Sequence, residues 1–157
     1  LATSREIAND ALELSLFIQE GIGLDSSETA LKAFATVELL CFQHQWQQAL
    51  QRLENLEHQF PNHSITDNIY WLKAIIYQKT ARYSEAIKTL QEMISRFPTA
   101  TTADDGLYLQ GKIEEENLKN NSNAMKNYQE LYEKHADSIY ASDARKRFRK
   151  LRGDLNP

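Results

Sequence analysis

Four histidines, one cysteine and a run of three glutamates are the residues of this 157-residue chain whose types could do chemistry. A metal site needs its ligands to converge on one point, and His44, His58, His63 and His135 fall in or near turns instead of at helical i, i+4 spacing. His58 and His63 stand five apart across a Phe-Pro stop, so no ligand set forms. Glu114, Glu115 and Glu116 could do acid-base work if two carboxylates met over a substrate, but neighbours on a helix point in different directions around its axis. They are expected to be a solvated face. Ser, His and Asp make no nucleophile motif, and the five scattered glycines make no phosphate loop. Cys41 lies in the apolar run "ATVELLCF", where it reads as a buried small side chain, and a single cysteine forms no internal disulfide. The expectation is a protein with no catalytic residues, no metal and no cofactor.

The elements that carry these residues are helical. Ala, Leu, Glu, Gln and Lys dominate a chain with five Gly and three Pro, a composition that favours helix over every other class. A chain of this length fits one domain and buries roughly 70% of its unfolded surface. No apolar stretch approaches the roughly 20 residues that cross a bilayer, and no basic-flanked signal segment opens the sequence. The chain begins at Leu1 without methionine, which suggests a processed product or a piece of something longer.

The run "ARYSEAIKTLQEMISRFP" at 81–98 is not unique. "HQWQQALQRLENLEHQFP" at 44–61 places Trp46 against Tyr83, Ala49 against Ala86, Phe60 against Phe97 and Pro61 against Pro98, each 37 residues apart. "NNSNAMKNYQELYEKHA" at 120–136 follows at an offset of 38, with Ala124 in the place of Ala86 and Ala136 in the place of Pro98. The extra residue of this third copy is expected in its "KNNSN" turn. Each run follows a partner helix, "KAFATVELLCF", "NIYWLKAIIYQK" or "DGLYLQGKIEEE", carrying Val37, Ala74 or Gly111 some 12 to 13 residues before the repeated alanine. Such small residues let two paired helices approach, and one pair cannot bury its apolar face without a neighbour.

"IYWLKAIIYQKTARYSEAIKTLQEMISRFP" resembles a tetratricopeptide repeat (TPR) without a gap, with Tyr70, Ala74, Tyr77, Tyr83, Ala86, Ile87 and Pro98 in the motif's places and Lys73 where leucine is usual. The resemblance covers about residues 30 to 152. It implies an all-α fold, a TPR-like right-handed superhelical solenoid of antiparallel helix pairs with about eight helices. Residues 25–152 would form three pairs and a closing helix, and 153–157 a tail. The long junctions "PNHSITDN" and "PTATTADD" are similar in style to repeats of bacterial envelope proteins such as the outer-membrane assembly lipoprotein BamD and the periplasmic Tol-Pal coordinator. That style suggests a periplasmic or outer-membrane-associated protein and leaves the cytoplasm open.

The resemblance further implies a concave binding face lined by first helices. By register this face comprises Phe34, Glu38 and Cys41, then Trp71, Ile75 and Gln78, then Tyr108, Lys112 and Glu115. A peptide or partner helix is the expected ligand, held on Trp71 and Tyr108; the basic clamp for a peptide's terminal carboxylate is not visible, Lys112 being the one cation in the set. The expected function is a non-catalytic protein-interaction scaffold, the C-terminal segment of a larger bacterial protein. The alternative is a spacer or self-association module.

The ends complete the pattern. Residues 1–24 are expected to carry one more helix, with Thr3 and Glu6 in capping-box spacing, Gly21 as its plausible stop and Leu12 in the register of an earlier repeat's second helix. Asp25 and Glu28 open the next. An unpaired first helix would leave an apolar stripe able to pair with a second copy. The closing helix, with Ala144 and Phe148 inward, carries Arg145, Lys146, Arg147, Arg149, Lys150 and Arg152, which make residues 141–157 net +4 against −8 elsewhere. Arg145, Lys146, Arg149 and Lys150 form a basic patch, read as a polar cap or as a surface for an acidic partner. Nucleic acid is not expected, since the net charge is −4 and no aromatic-basic platform is present. Gly153 within "RGD" reads as a helix stop.

Overall fold

The computed structural model describes residues 28–61 and 63–154 of the chain. The expectations for Thr3, Glu6, Leu12, Gly21 and Asp25, and for the last three residues, lie outside the described residues. Every regular element described is helical: α1 (Glu28–Phe42), α2 (Trp46–Gln59), α3 (Thr66–Lys79), α4 (Tyr83–Arg96), α5 (Thr102–Lys112) running into a π-helical turn (Ile113–Asn117), α6 (Asn121–Lys134) and α7 (Ala141–Arg152). The fold is an all-α, TPR-like array of helix pairs. It comprises two compact units, one ending at Ile69 and one beginning at Tyr70.

Each pair turns through the same backbone device. His44, Ala81 and Lys119 adopt φ of 57°, 58° and 56°, the left-handed region that costs an L-residue roughly 1 kcal/mol or more. The following amide closes each turn: Gln45 donates to the Leu40 carbonyl at 2.9 Å, Arg82 to Tyr77 at 2.8 Å and Asn120 to Glu114 at 2.8 Å. The first two bonds span five residues and the third spans six. Thr80 likewise donates four residues back to Ile76, whereas Leu118 donates five back to Ile113. The inserted residue therefore sits in the π-helical turn, upstream of the "KNNSN" turn where the sequence suggested it. The reason is local. The turn geometry is the same in all three pairs, and a helix absorbs an extra residue most simply by widening one turn to i→i−5 bonds.

The junction between α2 and α3 is held by His63, which is buried and accepts the Ile65 amide on Nδ1 at 3.2 Å. The Thr66 hydroxyl donates to the His63 carbonyl at 2.7 Å. The Thr66 amide also donates to the His63 carbonyl at 3.0 Å, which gives one of the first amides of the helix a partner, and the three bonds together give that histidine a structural task. At the far end, Gly153 takes φ 92° and the Asp154 amide donates to the Arg149 carbonyl at 2.9 Å, so the glycine of "RGD" is the helix stop.

In the second unit one core joins Tyr70, Ala74, Ala86, Leu90, Met93, Leu109 and Ile113, and a second joins Leu107, Ala124, Tyr128, Leu131 and Ala144. Phe148 packs on the latter and meets Tyr132 edge-on at 5.6 Å. Tyr128 stands in the register of Leu53 and Leu90, all three fully buried. Its larger ring is matched by Gly111, where the other repeats have Val37 and Ala74. A Cβ on Gly111 would lie 2.5 Å from Tyr128 Cε1.

Candidate functional site

The side chains expected on the binding face fall into three groups. Phe34 is 3% exposed and belongs to the interior, which corrects its assignment to the face. A large apolar side chain in that register is core wherever the neighbouring elements reach it. Glu38 and Cys41 are half-buried, and burial followed by the charge of Glu38 pushes the Cys41 thiol up to about 11, so it stays protonated and unreactive at neutral pH. Trp71, Ile75, Gln78 and Lys112 are half-buried, with Trp71 and Ile75 lying against the Tyr70–Ile113 core and presenting part of their surface outward.

Tyr108 and Glu115 are engaged within the chain, a second departure from the expected open face. The Tyr108 ring stacks on Tyr140 at 4.4 Å and 13°, and its hydroxyl donates to Asp143 Oδ2 at 2.5 Å. Glu115 is 14% exposed and accepts from the Tyr128 hydroxyl at 2.7 Å and from Arg147 Nη1 at 2.8 Å. Arg147 also reaches Glu116 at 2.9 Å and, through Nε, Asp143 at 2.8 Å. One guanidinium thus joins three carboxylates and ties α7 to the π-helical turn. The three glutamates are not a solvated face: Glu114 is buried with Oε1 accepting from Asn123 Nδ2 at 3.2 Å, Glu115 is mostly covered, and Glu116 alone is exposed. The widened turn and the Tyr128 hydroxyl draw them inward.

The electrostatics follow this geometry. The Tyr108 hydrogen bond, with Arg147 after it, holds Asp143 below the ordinary carboxylate range, although burial opposes the shift. Burial, then the bond to Glu115, pushes the Tyr128 hydroxyl well above the tyrosine range. A proton held more tightly by the folded state than by the unfolded one stabilises the fold below the unfolded pKa and ceases to do so as the pH climbs toward the folded one. Thermal melts of the wild type should therefore lose stability above about pH 10, and Tyr128→Phe should show a shallower decline. Asp143 acts in the opposite sense, its contribution present above the usual aspartate pKa and lost as the pH falls through its depressed value.

Arg147→Met should cost about 1 to 2 kcal/mol in a denaturant melt, less than the loss of a fully buried pair because Arg147 is 25% and Asp143 48% exposed. Amide exchange in α7 should rise with it. In the sequence Arg147 is one of the closing helix's cations, and its role is visible in the structure. The signals were the i, i+4 spacing of Asp143 and Arg147 and the replacement of leucine by Tyr128 opposite a glycine.

Arg145, Lys146, Arg149 and Lys150 are all exposed on α7. The Arg145 guanidinium lies 5.2 Å over the Tyr132 ring. Among the described residues no His, Cys, Asp and Glu cluster has the makings of a metal site, and no helix is long and apolar enough to cross a membrane.

A profile of the YfiO family, outer membrane lipoproteins, matches residues 27–156. The chain belongs to the YfiO family. The envelope style of its repeat junctions agrees with that membership. Among solved structures it is similar to a tetratricopeptide repeat protein from Parabacteroides merdae ATCC 43184, with a TM-score of 0.64 at 14% identity. The match covers 98% of this chain and 59% of that one, so it speaks for the fold, and the YfiO chain described here spans less than two thirds of that neighbour's length. No curated protein is a significant match to the sequence.

Proposed function

We propose that this chain is a non-catalytic scaffold that binds a peptide or helix of a partner protein on the first-helix face of its second and third repeats, as the C-terminal part of a larger bacterial envelope protein. The observation that carries the reading is Trp71. It is a large amphipathic side chain, half-buried on a rigid core, with Ile75 and Gln78 half-buried on the same helix in the register of the face. Aromatic anchors of this kind dominate binding energy at protein interfaces. The family's outer-membrane description supports an envelope location.

The test is capture of partners by the native full-length protein after cross-linking, repeated with Trp71→Ala. That substitution should weaken partner binding by about 2 kcal/mol, roughly thirtyfold, with a smaller loss of folding stability than Tyr70→Ala. A protein that cross-links to nothing, or binds as well without Trp71, removes the support for this reading.

A second reading, a spacer that self-associates, is favoured by Leu39 and Phe42, which are 54% and 60% exposed on α1. Ile76 and Ile113, in the register of Leu39, are fully buried. Sedimentation across a concentration series decides it: self-association that Leu39→Gln with Phe42→Gln abolishes supports the spacer, and a monomer throughout rules against it.

A further inference from the structure

The second unit contains two junctions of one design. The amides of Ala103 and Ala141 each donate three residues back, at 3.0 and 3.1 Å, and Gly106 and Ala144, three residues further on, are both buried. A register of 38 residues therefore carries α5 onto α7, as one of 37 carries α3 onto α5. In that register Tyr140 corresponds to Thr102, and Tyr108 to Trp71. The contact between Tyr108 and Tyr140 thus has its counterpart one repeat earlier in Trp71 and Thr102, where a methyl and a hydroxyl stand in place of the second ring.

The two aromatic side chains of the face differ accordingly. Tyr108 is satisfied within the chain, with the Tyr140 ring stacked on it at 4.4 Å and 13° and its hydroxyl bound to Asp143. The Trp71 side chain is half-buried against the Tyr70–Ile113 core, and among the described residues it makes no ring stack, cation–π contact or hydrogen bond. The larger ring is the one left without a planar neighbour.

We propose that Trp71 and the small Thr102 beside it form a slot for one aromatic side chain of the partner, which stacks on the indole as Tyr140 stacks on Tyr108. The proposal rests on the binding-face reading above and adds the residue class that the face selects. The chain's own solution in the equivalent seat, a nearly parallel ring, is what favours an aromatic anchor over an aliphatic one. Stacked rings gain beyond the burial of their area, by about three- to tenfold in affinity, whereas an aliphatic side chain gains the burial alone. Trp71 is already held by the core, so little order is lost in receiving the ring.

The experiment is an NMR titration of the full chain with N-acetylphenylalanine amide, set against N-acetylleucine amide and N-acetylarginine amide. The chain has two tryptophans. One spectrum of Trp71→Leu assigns their indole N–H signals, and Trp46 then serves as an internal control. The phenylalanine probe should move the Trp71 signal saturably, at about three- to tenfold lower concentration than the leucine probe requires, without saturating the Trp46 signal. Thr102→Tyr should fill the slot from within and abolish that response while the chain melts no lower than the wild type. If Thr102→Tyr does not fold, Tyr140→Thr reads the same geometry from the other repeat, because uncovering Tyr108 should create a second saturable response in the backbone amides around it. Equal binding of the leucine or the arginine probe overturns the proposal, as does a Trp71 response that survives in folded Thr102→Tyr or a Tyr140→Thr chain without the second response. Partner capture by the native full-length protein keeps the two layers apart. A partner lost with Trp71→Ala but kept with folded Thr102→Tyr leaves the face standing and removes the aromatic slot. Capture that Trp71→Ala does not weaken removes both.

Discussion

Tyr70→Ala should lower the stability of the chain by about 3 to 5 kcal/mol, the range for deleting a buried aromatic. Tyr70 is 5% exposed and packs in the core formed with Ala74, Ala86, Leu90 and Met93. Its hydroxyl donates to Glu92 Oε1 at 2.9 Å and accepts from Arg96 Nη1. The Arg96 guanidinium lies 5.1 Å over its ring, and Phe97 packs at 6.2 Å. Truncation would leave a cavity between α3 and α4 and strip Arg96 of its packing surface. Tyr70→Phe should cost only about 1 to 2 kcal/mol, because it keeps the ring and removes two partly exposed hydrogen bonds. Chemical denaturation of both variants reads this directly. A Tyr70→Ala protein as stable as the wild type would mean that the helix-pair register is displaced by one residue, and with it the placement of Trp71 on the outward face.

Gly111→Ala should cost about 2 to 3 kcal/mol even though alanine is the better helix former by about 1 kcal/mol. The added methyl would meet Tyr128 at 2.5 Å from Cε1 and 2.8 Å from Cδ1. The Tyr128 ring has no room to retreat, being fully buried with its hydroxyl held by Glu115. The second repeat shows the remedy, since it pairs Ala74 with Leu90 at these two places. Gly111→Ala combined with Tyr128→Leu should therefore recover much of the steric loss, with a coupling of about 2 kcal/mol in the double-mutant cycle. The recovery should be incomplete, because Tyr128→Leu also removes the hydroxyl from Glu115. Simple additivity of the two substitutions would contradict the close approach.

The helix pairs, their turns and the core positions Tyr70, Ala74, Ala86 and Ala144 were legible because they are written in spacing, and spacing survives without knowledge of side-chain contacts. Phe34 was misplaced because a helical register gives a direction, whereas burial depends on what else lies there. The third repeat was the least legible part. Its inserted residue could be located only from hydrogen bonds, since a widened helical turn and a longer loop produce the same offset of 38. The joining of Tyr108, Tyr128, Glu115, Asp143 and Arg147 depends on that turn, and on residues drawn from three helical segments up to 39 positions apart in the chain. The half-burial of Trp71, Ile75, Gln78 and Lys112 agrees with the direction their helical register gives.

We propose that the first-helix face of the second and third repeats holds a partner protein. A photo-crosslinking amino acid placed at Gln78, and in a parallel chain at exposed Ser84 on α4, tests it in cells that make the full protein natively. A discrete protein adduct is expected from position 78 that Trp71→Ala abolishes, and none of that size from position 84. Equal adducts from both positions, or none from position 78, would contradict it.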